Sequence, residues 1–289
     1  IMRIAMSGAT GLVGSHLTKA FIQKGWQVLP LTRQDFMQDD GGVIEKIEGS
    51  AVVVNLAGAP VAARWTEEYK KIMYSSRIDT TKRICRTLGK AKNRPRLLIS
   101  TSAIGIYTTE GVHTEEDRNY SKDFLGKLAA DWEAAAGEAK DLGVRTLIFR
   151  FGVVLGRNGG ALQKMLIPFR LGLGGVIGSG EQPFSWVHIE DLIRAYVTVI
   201  ENDKYEGVYN LTAPHPTTNR GLTEALGHVL HRPTFMHVPF FVLKLQLGEA
   251  AKVLTEGQHV LPQRLLESGF SFMFTDIDKA LENLVTAEG

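Results

Sequence analysis

One nine-residue segment, Met6-Ser7-Gly8-Ala9-Thr10-Gly11-Leu12-Val13-Gly14, constrains the fold of this chain more than any other. It joins a short β-rich run at 3–7 to an amphipathic helical stretch at 12–24. Glycines three apart at a strand-to-helix junction serve a tight turn, close backbone approach to a phosphate, and close packing of helix on strand. The helix N-terminus adds unpaired N–H groups and a partial positive charge. An ordinary strand-to-helix turn is the competing reading, but the strand before it, the helix after it and its place early in the chain favour a dinucleotide cradle. Gly8, Thr10, Gly11, Leu12, Val13 and Gly14 are its candidate residues.

The same alternation continues downstream. Apolar runs at 27–32, 51–55, 96–100 and 145–151 are interleaved with helical stretches at 77–90 and 124–141. This pattern predicts an α/β fold with a doubly wound parallel Rossmann sheet. After Arg150 the texture turns glycine-rich, and a second strand-like run follows at 184–189 and another at 207–211. Residues 1–237 are therefore expected to form the dinucleotide-binding domain, with substrate-lobe excursions at about 157–185. Residues 238–289 are expected to form a small, mostly helical C-terminal subdomain.

The end of the second strand decides which dinucleotide fits. Nineteen residues beyond Gly14 the sequence reads Leu31-Thr32-Arg33. An NAD site places an acidic residue here for the ribose diol, whereas an arginine suits a 2′-phosphate. Thr32 and Arg33 thus point to NADP(H), with Asp35, two residues on, as the competing signal for NAD. The third strand ends in Asn55-Leu56-Ala57-Gly58, small residues that let the backbone approach the adenosine side.

Other classes are disfavoured. Lys plus Arg total 33 against 31 acidic residues, and a net charge of +2 gives no reason to expect nucleic acid or an anionic membrane. Apolar runs such as 235–245 fall short of a membrane span. The lone Cys85 excludes an intrachain disulfide and reads as a core residue, no His or Cys spacing suggests a metal site, and a cytoplasmic location is expected. The stretch 253–272 either caps a substrate cleft or forms a homodimer surface.

Taken together, these residues resemble the extended, epimerase-like form of the short-chain dehydrogenase/reductase superfamily. A narrower match is carried by Asn55-Leu56-Ala57-Gly58, Ser76-Arg77-Ile78, Trp132-Glu133, Gly152-Val153-Val154-Leu155-Gly156, Trp186-Val187-His188-Ile189 and Gly257-Gln258-His259-Val260-Leu261-Pro262. On these the chain resembles an atypical NAD(P)-dependent epimerase-like, cell-division-inhibitor-like family with a C-terminal domain of unknown function. The resemblance implies NADP contacts at Gly8, Gly11, Gly14, Thr32, Arg33, Leu56, Ala57, Arg77 and Val154. It also implies an oxidoreductase or epimerase acting on a small molecule.

Superfamily chemistry needs a Tyr four residues before a Lys, plus a Ser or Thr hydroxyl. Lys127 matches the lysine, but Asp123 stands where the tyrosine belongs, and Ala103 stands at the usual hydroxyl position. Tyr107, Asp123 and Ser102 are the possible substitutes, with Lys127 as a cationic ribose donor. Those departures leave a non-catalytic NADP(H)-binding regulator as the alternative. His188 reads as a structural junction, and Glu115 and Glu116 as solvated loop residues.

Overall fold

The computed structural model describes residues 1–285. The chain opens with β1 (Arg3–Ser7), α1 (Leu12–Gln23), β2 (Gln27–Leu31), α2 (Arg33–Met37), α3 (Gly41–Ile47) and β3 (Val52–Asn55). Then come α4 (Glu67–Ser75), α5 (Ile78–Lys90), β4 (Leu97–Ala103), β5 (Val112–His113), α6 (Phe124–Gly137) and β6 (Arg145–Phe151). The glycine-rich part builds β7 (Val153–Leu155), α7 (Gly160–Arg170), β8 (Gly175–Ile177), β9 (Pro183–Phe184) and β10 (Trp186–His188), followed by α8 (Ile189–Glu201) and β11 (Gly207–Leu211). Last are β12 (Thr217–Thr218), α9 (Asn219–Leu230), β13 (Met236–Val238), α10 (Phe240–Leu247), α11 (Lys252–Thr255), β14 (His259–Val260), α12 (Gln263–Glu267) and α13 (Ile277–Val285).

Six strands form one parallel sheet in the order β11-β6-β4-β3-β1-β2. Its strands are apolar on both faces because both are covered. Ile4 and Met6 of β1 pack with Leu17 and Phe21 of α1 and Leu192 and Tyr196 of α8. Ala5, between them, packs on the other face with Val43 and Ile47 of α3 and Ile84 and Leu88 of α5. The winding reverses between β1 and β3, which places a ligand crevice at their C-terminal ends. The expected doubly wound sheet with a helical C-terminal lobe is thus the observed architecture.

Several boundaries differ from the periodicity reading. The helix expected at 124–141 ends at Gly137, and a 3₁₀ turn, Lys140–Leu142, runs into Gly143 at φ 74°. The run at 184–189 is two short strands, broken at Ser185, whose hydroxyl donates to the Gln258 carbonyl and accepts the Val260 N–H. The helices α2, α3 and α4 have no counterpart in the periodicity reading, because segments of 5, 7 and 9 residues are too short for a 3.6-residue pattern to stand out.

The C-terminal segment is fastened to the sheet from inside. Val260 and Leu265 are fully buried, and the Arg264 backbone N–H donates to Glu115 Oε2 at 3.3 Å. The buried Asp191 carboxylate accepts the backbone N–H groups of Met273 and Phe274 at 2.8 and 2.9 Å. Within the stretch 253–272, Val260, Pro262, Leu265 and Phe270 are buried, while Val253 and Leu266 stay exposed. Among the described residues, no helix is long and apolar enough to cross a membrane.

Candidate active site

The glycine turn sits between β1 and α1. Gly8 has φ 71°, and a Cβ there would lie 2.9 Å from the Leu56 carbonyl, so only glycine lets β1 and β3 close on each other. A Cβ on Gly14 would lie 2.1 Å from the Gly8 oxygen. Gly11 caps α1 with no side-chain hydrogen bond, and the first turn carries no acidic residue. The first-turn N–H groups thus stay available, and this donor set fits a pyrophosphate. Leu12 packs against the chain at Gly156 and Gly159, joining the cradle to the glycine-rich lobe. Val154, half-buried, lies in β7 opposite Val187 of β10.

Ser7 is level with Leu31 in the sheet, so Thr32 and Arg33 emerge beside the cradle. Arg33 is exposed, and its guanidinium engages none of the described side chains. Asp35, the competing NAD signal, is turned back. With Thr32 it forms a capping box: its Oδ2 accepts Thr32 N–H at 2.6 Å and Thr32 Oγ1 at 2.7 Å, and Lys46 Nζ lies 2.7 Å away.

The loop after β3 is fixed by a buried chain of hydroxyls and amides. Ser7 Oγ donates to Asn55 Oδ1 at 2.7 Å and accepts from Leu56 N–H at 3.1 Å, while Asn55 Nδ2 donates to Thr81 Oγ1 at 2.8 Å. Arg77, N-cap of α5, is buried, and burial pulls its pKa down to about 10. Its guanidinium stacks over Trp132 and donates to the Ala59 carbonyl at 2.9 Å and the Met73 carbonyl at 3.2 Å. A Cβ on Gly58 would meet it at 2.9 Å. Arg77 therefore shapes the loop Leu56-Ala57-Gly58 from beneath.

At the β4–β6 end the arrangement differs. Asp123 is the N-cap of α6, its Oδ1 accepting the Gly126 N–H at 2.9 Å. The helix therefore starts one residue after the position where the superfamily places its tyrosine. Lys127, one turn on, is exposed. Ser102 is buried and donates to Glu133 Oε1 at 2.7 Å. Glu133 grips Arg150 through two contacts of 2.6 and 2.7 Å. Arg150 in turn donates to Tyr107 Oη at 2.7 Å and Tyr120 Oη at 3.0 Å, and stacks on both rings. Tyr107, fully buried, also bonds Asn210 Oδ1 at 2.9 Å and stacks on His113. Burial pushes its phenol pKa up, against the pull of Arg150. Burial works against the charge on Arg150, and Glu133 more than offsets it, holding that group above its ordinary value.

The sequence reading gave Glu133 and Arg150 no role. The available signal was Arg150 inside the apolar end of β6, at 147–151, where a charge demands a buried partner. Glu115 corrects an expectation. It is not a solvated loop residue but is buried, accepting the Asn210 N–H at 2.8 Å, and burial raises its pKa. His188 caps α8: Nδ1 accepts the Glu190 N–H at 3.0 Å, Nε2 faces Asn283 Oδ1 at 3.1 Å, and the ring stacks on Phe274. Cys85 is buried and its thiol is pushed up to about 12 by burial. Among the described residues, no three His, Cys, Asp or Glu side chains are grouped to hold a metal ion.

Residues 4–212 match the NAD dependent epimerase/dehydratase family, and 238–284 match a domain of unknown function, DUF1731. The chain is 36% identical over 298 residues to the epimerase family protein YfhF of Bacillus subtilis, covering 98% of each. It is 39% identical over 303 residues to the chloroplastic SDR39U1 homolog of Arabidopsis thaliana, covering 98% of this chain and 87% of that one. The crystal structure of human epimerase family protein SDR39U1 with NADPH superposes with TM-score 0.89 at 33% identity, covering 99% of both chains. UDP-glucuronic acid 4-epimerase from Bacillus cereus, in complex with UDP-glucuronic acid and NAD, shares the fold at TM-score 0.82 and 18% identity, covering 98% of each.

Proposed function

The chain belongs to the NAD-dependent epimerase/dehydratase family, and from that premise we propose that it is an NADP(H)-dependent oxidoreductase or epimerase acting on a small molecule. The observation that carries the choice of cofactor is an open Arg33 beside an Asp35 whose carboxylate is already engaged. The crystal structure of human SDR39U1 with NADPH supports the same choice. Backbone N–H groups at Leu12 and Val13 take the pyrophosphate, the Gly11 N–H closing the turn onto the Gly8 carbonyl instead; Arg33 takes the 2′-phosphate, and the Leu56–Gly58 loop the adenosine side. Bound nicotinamide supplies a hydride acceptor or donor. Lys127 is the cationic group at that end of the cleft, holding the nicotinamide ribose and the substrate oxygen. Ser102 and Tyr107 act through the buried network as positioning residues.

Calorimetric titration of NADPH and NADH into cofactor-free wild type and Arg33→Ala tests this. Wild type is expected to prefer NADPH, and the variant to lose about 10- to 100-fold in NADPH affinity with NADH unaffected, the scale of one or two charge-assisted hydrogen bonds. Equal affinities in wild type overturn the assignment. Hydride turnover on a panel of carbonyl compounds and nucleotide sugars then tests the chemistry. The second reading, a non-catalytic NADP(H) sensor, is favoured by one observation: the superfamily's tyrosine position is a helix cap here. Tight NADPH binding with no turnover across the panel would select it.

A further inference from the structure

We infer that Lys46 is a specificity-determining positioning residue: it holds Asp35 out of the ribose site and so makes the end of β2 selective for a 2′-phosphate. This rests on the NADP(H) reading above and adds a residue to it. Asp35 lies two residues beyond Arg33, in the first turn of α2, where a free carboxylate would accept the 2′- and 3′-hydroxyls of an unphosphorylated ribose and repel a phosphate. It is not free. One oxygen, Oδ2, gathers the Thr32 N–H, the Thr32 hydroxyl and the Lys46 ammonium at 2.6, 2.7 and 2.7 Å. The other, Oδ1, faces the backbone of α3, where a Cβ on Gly42 would lie 3.4 Å away.

Lys46 comes from the last turn of α3, and its position is set independently of Asp35. The same ammonium donates to the Pro30 carbonyl of β2 at 2.9 Å. It is therefore anchored to the strand whose end it controls. Both side chains are largely withdrawn from solvent, at 32% and 14% exposure, so the pair is screened less than a surface ion pair. Burial alone would raise the Asp35 pKa, yet the Lys46 and Thr32 hydrogen bonds outweigh it and the net shift is downward. The carboxylate thus stays ionised, and what keeps its charge from a neighbouring phosphate is the lysine. Thr32 supplies the capping geometry but no countercharge. Selectivity then belongs to Arg33, Asp35 and Lys46, with Arg33 attracting the phosphate and Lys46 cancelling the Asp35 carboxylate that would oppose it.

The test measures dissociation constants of NADPH and NADH for wild type, Lys46→Met, Lys46→Arg and the double variant Lys46→Met with Asp35→Asn. A thermal melt on each confirms that the variants are folded. In Lys46→Met, the preference for NADPH over NADH is expected to fall by about tenfold, the scale of one newly uncompensated like-charge contact at partial burial. NADH affinity should hold or improve. The arginine variant should keep the preference, and Asp35→Asn in the methionine background should restore it, because removing the negative charge removes the need for the lysine. Equal losses for both dinucleotides in Lys46→Met would make Lys46 merely structural and overturn the inference. An unchanged ratio, or no rescue by Asp35→Asn, would overturn it as well. Wild type with no preference at all fails differently: it overturns the NADP(H) reading on which this one stands.

Discussion

The two ends of the crevice are built by opposite rules. At the β1–β2–β3 end, the cradle is open backbone and an exposed arginine, and the polar side chains behind it serve to fix loops. At the β4–β6 end, Ser102 and Tyr107, two candidate reactive groups, are buried and bonded into an Arg150–Glu133 ion pair. One end presents its donors openly, whereas the other withholds its hydroxyls and leaves Lys127 as its exposed cation. A superfamily scaffold thus keeps its dinucleotide half while the residues around its usual tyrosine and serine positions turn to holding β4, β6 and α6 together.

The sharpest way to break that contrast is to remove Glu133. Glu133→Ala leaves Arg150, about 1% exposed, without its carboxylate partner. A buried charge stripped of its partner costs about 3–5 kcal/mol, whereas exchanging both members for apolar residues is often neutral. Urea unfolding should show that loss in Glu133→Ala and its partial recovery in Glu133→Leu with Arg150→Met. NADPH affinity, measured well below the unfolding midpoint, should stay within about threefold of wild type, because the cradle shares no hydrogen bond with the network. A large drop in affinity would mean that the two ends are one unit.

The next effect is a pH dependence. The reading of His188 as a junction rather than a base places it with the withheld groups. Burial holds its folded-state pKa at about 4, the Arg157 charge acts in the same direction, and the Asn283 hydrogen bond opposes both. The unfolded chain titrates near 6.5. Between those values the unfolded state takes up a proton that the folded state refuses, so stability is full above about pH 6.5 and falls as pH drops toward 4. Roughly 2 kcal/mol should be lost between pH 7.5 and 5 by this linkage. In His188→Gln that component of the slope should vanish. A slope unchanged in the variant would show that His188 takes up its proton as readily in the fold as in the unfolded chain, against the junction reading.

The same contrast explains what the sequence made legible. The cradle could be read because its logic is local: three glycines, a strand before and a helix after lie within a few residues of one another. The sheet was readable for a similar reason, since β1, β3, β4 and β6 are apolar runs with both faces covered. The network was not, because it joins Ser102, Tyr107, Tyr120, Glu133, Arg150 and Asn210 from five separate stretches, and no spacing connects them. Glu115 shows the limit most clearly. In sequence it sits in a polar loop beside Glu116, yet its burial is decided by β11 and by Arg264, 149 residues away.

The smallest predicted effect bears on Asp123, where the two ends of the crevice come closest in role. Its carboxylate caps α6, and loss of such a cap costs about 1 kcal/mol. Asp123→Ala should therefore lower stability by that amount. Asp123→Asn should stay within a few tenths of a kcal/mol of wild type, because an asparagine oxygen accepts the Gly126 N–H equally well. Turnover separates the two roles more finely than stability does. If the cap is all that Asp123 provides, the asparagine variant keeps both NADPH affinity and whatever hydride transfer wild type shows. If turnover collapses in the stable asparagine variant, the carboxylate carries a proton, and the residue at the vacated tyrosine position belongs with the open end of the crevice, having kept the tyrosine's work while also capping the helix.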